Sequence, residues 1–443
     1  MFLGTSMRYE YSIRTNSSRK HLVILGSLLY LLTSVISSAQ STDETEIKHQ
    51  RTLKDFSPIE ILPKLGDGQW CGWIADEPGT LFDKPTNPAV QSVVIFGNPQ
   101  WQYSHVSGTD SEGNDFSGDE FLLRRFKLGV RIHFLNYFTS SFASDVEDDG
   151  EPKENSDYNS FDYALQSSDV IFDAKDAFNW DRYDQFQLRL GYFKVPSNAG
   201  WARSSNSMQS IERDSLTNYS SPSDSMGAML SGRLDRWDFD LGLFSGNDIN
   251  NGLDNNSGSF WFARLGYMFG ERQRLDSLRT DLRLLINNET KTNETFQQNW
   301  VVSWSTLMRQ KHWRLMGDLI IGENGNYGDP TQQGSYWGLS LMPSIWLIED
   351  RLEVVFRYQY AEAKESNGFR ISSHSARRIA DQEEANINDG YGDKHQSAYA
   401  GINYYICGDN TKIMAGLQWD DLQSSNEKIY EGLTTWVALR LYF

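Results

Sequence analysis

The sequence predicts an all-β chain, a 16-stranded antiparallel transmembrane β-barrel, and three observations predict it. Runs of ten to fourteen residues alternate apolar and polar side chains, the period of an extended strand with two different faces. The runs are separated alternately by tight turns and by long polar loops, as in a barrel with short connections on one side of a membrane. Composition agrees. Aromatics reach 13 %, with 14 Trp and 21 Tyr, yet the hydrophobic fraction is only 39 % and the mean hydropathy is −0.55. A barrel needs every second residue apolar, favours aromatic girdles and fills its interior with polar groups, whereas helical membrane proteins are far more apolar.

The chain opens on a targeting segment. Arg14, Arg19 and Lys20 precede an apolar stretch from Leu22 to Ile36, and Ser37 and Ala39 supply the small residues of a cleavage site, so residues 1–39 are expected to be a signal peptide. No later window is long and apolar enough for a membrane helix. Residues 40–89 mix charges, prolines and glycines without a steady period and are expected to form an N-terminal periplasmic or plug-like extension. Residues 90–443 are the expected barrel.

Strands are expected at 91–106, 120–134, 136–146, 169–181, 184–195, 225–234, 236–246, 258–270, 278–290, 296–309, 311–323, 333–348, 351–363, 394–406, 411–422 and 432–443. Within them Phe186, Leu188, Leu190 and Tyr192 share a face, as do Trp237, Phe239, Leu241 and Leu243, and Leu352, Val354, Phe356, Tyr358 and Tyr360. Turns fall at "LDRW", "RQKH", "IEDR" and "CGDN". The long loops, 147–168, 196–224 and 364–393, are rich in Asp, Asn, Ser and Gly. The final run, "TTWVALRLYF", places Thr435, Val437, Leu439, Leu441 and Phe443 on one face and Trp436, Ala438 and Arg440 on the other. A terminal aromatic on a greasy face suits lipid on one side and water on the other, and Phe443 is read as a membrane-insertion signature.

Alternation also sorts the charges. On the face opposite the apolar one lie Arg125, Arg131, Arg189, Arg233, Arg264, Arg283, Arg309, Arg314, Arg357 and Arg440, joined by Lys127 and His133. A guanidinium stays charged and offers planar donors suited to phosphate or carboxylate oxygens, so such a column gives an anion successive weak sites. The competing reading is that these arginines pair with lumen acids such as Asp238, Asp240, Asp281, Asp318 and Glu353 and brace the wall. The strand "EFLLRRFKLGVRIHF" favours the first reading, because Arg125, Lys127, Arg131 and His133 share a face with no acid among them.

The stretches "FLLRRFKLGVRIHF", "LRLGYFKVPSNAGWARSSNSMQSIERDSL" and "GAMLSGRLDRWDFDLGLFSGN" resemble the phosphate-selective porin O and P family, most clearly over residues 120–246. The resemblance implies a trimeric outer-membrane barrel of sixteen strands with an arginine-lined channel. By position, it implies paired arginines at Arg124 and Arg125, a constriction acid at Asp173, and an inward-folded third loop carrying Ser204, Ser205, Glu212 and Arg213. One departure bears on selectivity. Trp201 stands where phosphate-selective members carry a loop lysine, with Arg203 and Lys194 close by. Lysine is a compact charge and Trp a neutral stacking platform, so a sugar or other organic solute competes with an anion as the expected cargo. Glu212 and Arg213 can equally pin the loop to the wall.

Removal of the leader, with its four basic residues and one acid, takes the formal charge from −18 to −21, which argues against nucleic acid as a partner. The seven His are scattered, with no H-E-x-x-H pairing, and no G-x-S-x-G elbow occurs. No metal, cofactor or enzymatic activity is expected. The acidic run at 147–158 and "GENGNYGD" lack the spacing of a calcium loop. Cys71 and Cys407, the two cysteines, would both lie on the periplasmic side, where one bridge would tether the extension to the barrel rim. The expected function is an outer-membrane passive diffusion pore for small anionic or polar solutes, surrounded by outer-membrane lipids as a homotrimer in a Gram-negative-type envelope. The alternatives are a general or organic-solute porin, or a barrel closed by its loops that serves as adhesin, receptor or anchor.

Overall fold

The computed structural model of the chain describes residues 71, 74, 78–147, 162–247, 257–269, 275–288, 290–325 and 329–443. The expected signal peptide, most of the N-terminal extension and the acidic segment 148–161 lie outside the described residues.

Sixteen strands form the wall: β1 (Val90–Thr109), β2 (Asp115–Phe134), β3 (Phe138–Glu147), β4 (Asp162–Asp173), β5 (Gln185–Phe193), β6 (Ser225–Leu234), β7 (Trp237–Ser245), β8 (Ser259–Phe269), β9 (Ser277–Asn287), β10 (Gln298–Gln310), β11 (Trp313–Asn324), β12 (Gly334–Ile348), β13 (Leu352–Ala363), β14 (Lys394–Tyr405), β15 (Thr411–Ser424) and β16 (Glu427–Leu441). Each pairs antiparallel with the next, and β16 returns to β1 from Glu431 opposite Thr109 to Arg440 opposite Gln100. The sheet is closed. Closure leaves no edge and satisfies the backbone within the wall, the condition for strands in hydrocarbon.

The two faces separate as alternation requires. Leu282, Trp304, Phe356 and Val437 are half or more exposed on the outside, while Asp281, Ser305, Arg357 and Trp436 are buried within. Phe443 answers the question its position raises. Its N–H and carbonyl exchange hydrogen bonds of 3.1 Å with Gly97, and its ring covers the spot where a Gly97 Cβ would stand, 2.4 Å away. The terminus is a seated residue.

The largest departures from the expected strand boundaries fall at three places. Strands β1 and β2 run to Thr109 and from Asp115, because Asp110 accepts the amides of Glu112 and Asn114 and builds a tight turn where a longer loop was expected. The fourth strand is Asp162–Asp173, displaced from the expected 169–181. "AKDAF" is a short helix, α1 (Ala174–Phe178), capped at one end by the Asp173 carboxylate and at the other by Asn179 with φ 53°. The last strand starts at Glu427, after Ser425 and Asn426, both at positive φ as a two-residue hairpin demands.

Candidate functional site: the lumen constriction

Loop L3, residues 194–224, leaves β5 and folds into the barrel. Two short helical turns shape it: α2 (Ala199–Ala202), capped by the Asn198 side chain on the Trp201 amide, and α3 (Ser215–Tyr219), capped by Asp214 on the Thr217 amide. The loop docks across the lumen on β11–β16 and β1. Ala199 donates its N–H to Asp318 at 2.9 Å, Gln209 reaches Ser344 at 2.6 Å and Glu353 at 2.8 Å, and Arg440 donates to the Ser205 carbonyl at 2.9 Å and to that of Ile211. Asn98 reaches the Ser205 hydroxyl at 2.9 Å, and Lys412 the Met208 carbonyl at 2.9 Å. Under the loop, Ile211 packs with Met316, Met342, Val355, Tyr399, Met414 and Trp436 in an apolar layer inside the barrel. L3 is therefore bonded and packed to one side of the lumen.

A bulge sets the clamp that orients it. Gln100 faces Arg125 and Trp101 faces Leu123, so Arg124 is an extra residue in β2. An inserted residue reverses the alternation. Hence both Arg124 and Arg125, neighbours in sequence, point inward and converge on Glu212, at 2.8 Å and 3.0 Å. Burial works to raise the Glu212 carboxyl, but the Arg124 and Arg125 charges outweigh it and hold the group well below the ordinary carboxylate range.

Most of the arginine column is braced. Arg189 is bidentate to Asp169 at 2.8 Å and 3.0 Å. Arg233 pairs with Asp238 at 2.8 Å, Arg264 with Asp240 and with Asp281 at 2.9 Å, Arg279 with Asp238 and Asp281, and Arg314 with Glu353. Arg357 donates to Ser210, to the Glu212 carbonyl and to Gln418. Arg131 lies over the Phe96 ring at 5.3 Å. Arg203 is buried against Gln209 at 2.6 Å. Asp173, placed at the constriction by position, caps α1 at the turn after β4, and Asp169 is the buried acid of that strand.

Two lysines are different. Lys127 faces the lumen from β2, and Lys194 follows β5; both are largely buried with a minor part of their surface open, and among the described residues neither forms an ion pair with a carboxylate. The charges of Asp145 and Asp224 act on Lys127 from a distance, and those of Arg213, Lys127 and Asp224 on Lys194. Lys194 sits over the Trp201 ring at 4.4 Å and Arg213 over it at 5.1 Å. Arg213 also donates to the carbonyls of Gly200 at 3.1 Å and Arg203 at 2.9 Å, and Lys194 to that of Arg203 at 3.4 Å. Trp201 thus gathers two cations. Ser204 is exposed beside them and Ser205 is buried. Arg125, Lys127, Arg131 and Arg189 on the lumen face of β2–β5 remain partly exposed, with Asp145 beside them and Asp169 buried, while most lumen side chains of β10–β16 are covered.

A second inward element was not foreseen. Helix α4 (His374–Gln382), in the loop between β13 and β14, lies inside β16, β1 and β2, with Ile379 against Gly118 and Arg378 paired to Glu120 at 2.9 Å. Just ahead of it, Ser372 donates its N–H to Ser215 of L3 and accepts from Asn218 at 2.9 Å. His374 is pushed down to about 4 by burial and by the nearby Arg124 charge.

No protein-family model matches the chain, and no curated protein matches it. Solved structures do. The anion-selective porin of Comamonas acidovorans superposes with a TM-score of 0.51 at 13 % identity, covering 80 % of this chain and 99 % of that one. The outer-membrane channel DcaP of Acinetobacter baumannii gives 0.51 at 12 %, covering 82 % and 99 %. OmpF of Salmonella typhi, in complex with daunomycin, gives 0.50 at 12 %, covering 80 % and 98 %. At such identities the likeness is one of fold.

Proposed function

We propose that the protein is an outer-membrane porin of the phosphate-selective O and P type, a passive channel rather than an enzyme, whose constriction favours small anionic solutes, phosphate among them. The barrel is an outer-membrane barrel of a Gram-negative-type envelope. The observation that carries the anion preference is the pair of lumen ammonium groups, Lys127 and Lys194, beside Arg213 and without an ion-pair partner among the described residues. Arginines neutralised by carboxylates attract anions little; lysines with no carboxylate partner among the described residues keep a net positive charge that attracts anions and repels cations in a gap of lowered dielectric. A solute passing the gap exchanges hydration for these donors in turn, with no site closed enough to trap it.

Planar-bilayer recording tests this. Replacing both lysines, Lys127→Glu with Lys194→Glu, is expected to turn anion preference into cation preference while leaving conductance within about threefold; retained anion preference in the double variant refutes the reading. Phosphate is expected to reduce chloride current in the native channel. The rival, a barrel closed by its loops, draws on the apolar core that the loops bury in the outer half of the lumen, including Leu216, Ile371, Ile379 and Phe369. Absence of any steady current favours that reading. Assembly as a homotrimer follows from the family resemblance; cross-linking in membranes that yields monomers alone contradicts it.

A further inference from the structure

Strand β16 ends before β1 does. Beyond the Phe443–Gly97 pair, the edge of β1 toward Val90 is filled by the chain's own N-terminal segment. Ile95 donates its N–H to the Gly79 carbonyl at 2.8 Å, and the short strand Thr80–Asp83 pairs antiparallel with Val94 to Ser92. It runs in the direction of β16 and takes up the row that β16 vacates. Upstream, the Ile74 carbonyl accepts from the Asn410 amide at 3.1 Å, and the Asn410 carbonyl accepts from the Tyr442 N–H at 2.8 Å. Asn410 therefore holds the N-terminal segment and the C-terminal strand together. In the same turn, Cys407 is bonded to Cys71, 336 residues away in sequence.

We propose that the N-terminal segment, through Cys71, Ile74 and Gly79 to Asp83, is a covalent clasp across the seam of the barrel. At every other position neighbouring strands are joined by a turn or loop. β1 and β16 are joined only through the whole chain, so the seam is where a barrel opens, exposing two strand edges to lipid. The clasp answers this twice. The added strand completes the edge of β1, and the bridge keeps β1 tethered beside the β14–β15 turn, so that parted seam strands stay at high effective concentration. The bond forms when two thiols lose two protons and two electrons to a disulfide donor of the oxidising periplasm.

The test uses the full-length protein in outer-membrane vesicles. Intact mass after alkylation is expected to show no free thiol before reduction and two after it; two free thiols in the native protein overturn the proposal. Reduction, or Cys71→Ser with Cys407→Ser, is expected to lower the temperature at which the barrel opens on unheated SDS gels by about 5–15 °C. Single-channel conductance is expected to stay unchanged. A second variant reaches the strand without touching the thiols. A Cβ at Gly79 would stand 1.6 Å from the Ile95 carbonyl oxygen, so Gly79→Val is expected to lower the same temperature in the oxidised protein. An opening temperature indifferent to both changes refutes the clasp.

Discussion

Glu212 is the residue on which the constriction turns. It stands between two guanidiniums that a single inserted residue brings to one face, and its backbone carbonyl is held by Arg357 at 2.7 Å. Glu212→Gln leaves Arg124 and Arg125 facing each other and is expected to weaken loop docking by on the order of 2 kcal/mol. That is less than the roughly 3–5 kcal/mol of a fully buried pair, because the carboxylate keeps 17 % of its side-chain surface. Limited proteolysis within residues 194–224 reads the change: cleavage is expected in the variant and not in the native protein. Trp201 makes a different prediction. Its indole N–H is buried and finds no acceptor among the described residues, so Trp201→Phe is expected to keep selectivity while Trp201→Leu, which releases both cations, lowers it. Equal selectivity in native, Phe and Leu proteins would show the ring to be mere filling.

Among the elements, L3 is hydrogen-bonded to the segment that leads into α4. Ser372 binds Ser215 and Asn218, and Tyr219 donates to the Gly368 carbonyl at 2.8 Å. His374 lies at their junction, neighboured by Arg124, Arg377, Arg378 and Glu212. Its folded value, about 4, is below the ordinary 6.5, so the undocked helix binds a proton that the docked one refuses. Docking is accordingly strongest above pH 6.5 and weakens as pH falls from 6.5 toward 4. Current fluctuations from loop motion are expected to grow over that interval, and His374→Phe is expected to flatten the dependence. Fluctuations that grow identically in the variant would place the titrating group elsewhere.

At the scale of the whole molecule, the wall was legible in the sequence and the contents of the lumen were not. Alternation in strands such as "LEVVFRYQYA" and "TTWVALRLYF" fixes which face meets lipid, since one face must be greasy and the register slips only in steps that would bury charge in hydrocarbon. The fourth strand shows the limit. "IFDAKDAF" alternates well enough to pass for a strand, and only the cap that Asp173 offers to the Asp176 amide at 3.0 Å turns it into a helix. The bulge at Arg124 has no local signal, because an inserted residue is decided by pairing with Gln100 and Trp101 across the ladder. Lumen parity likewise puts the arginines in the right half of space but leaves their partners undecided. Asp169, Asp240 and Asp281 meet them across the ladder from the neighbouring strand, a pairing set by register and not by alternation, and α4 enters from a polar loop whose composition reads as solvated.

The shape that results is a ring of strands whose lumen is narrowed by L3, docked on β11–β16 and β1, and by α4 against β16, β1 and β2. The most direct test is the zero-current potential of the purified native protein in a planar bilayer under a tenfold gradient of potassium chloride. The expected result is a potential of the sign that chloride flow produces, shrinking as total salt rises and screens the lysines. A potential of potassium sign, or one that stays at zero in dilute salt, would contradict it.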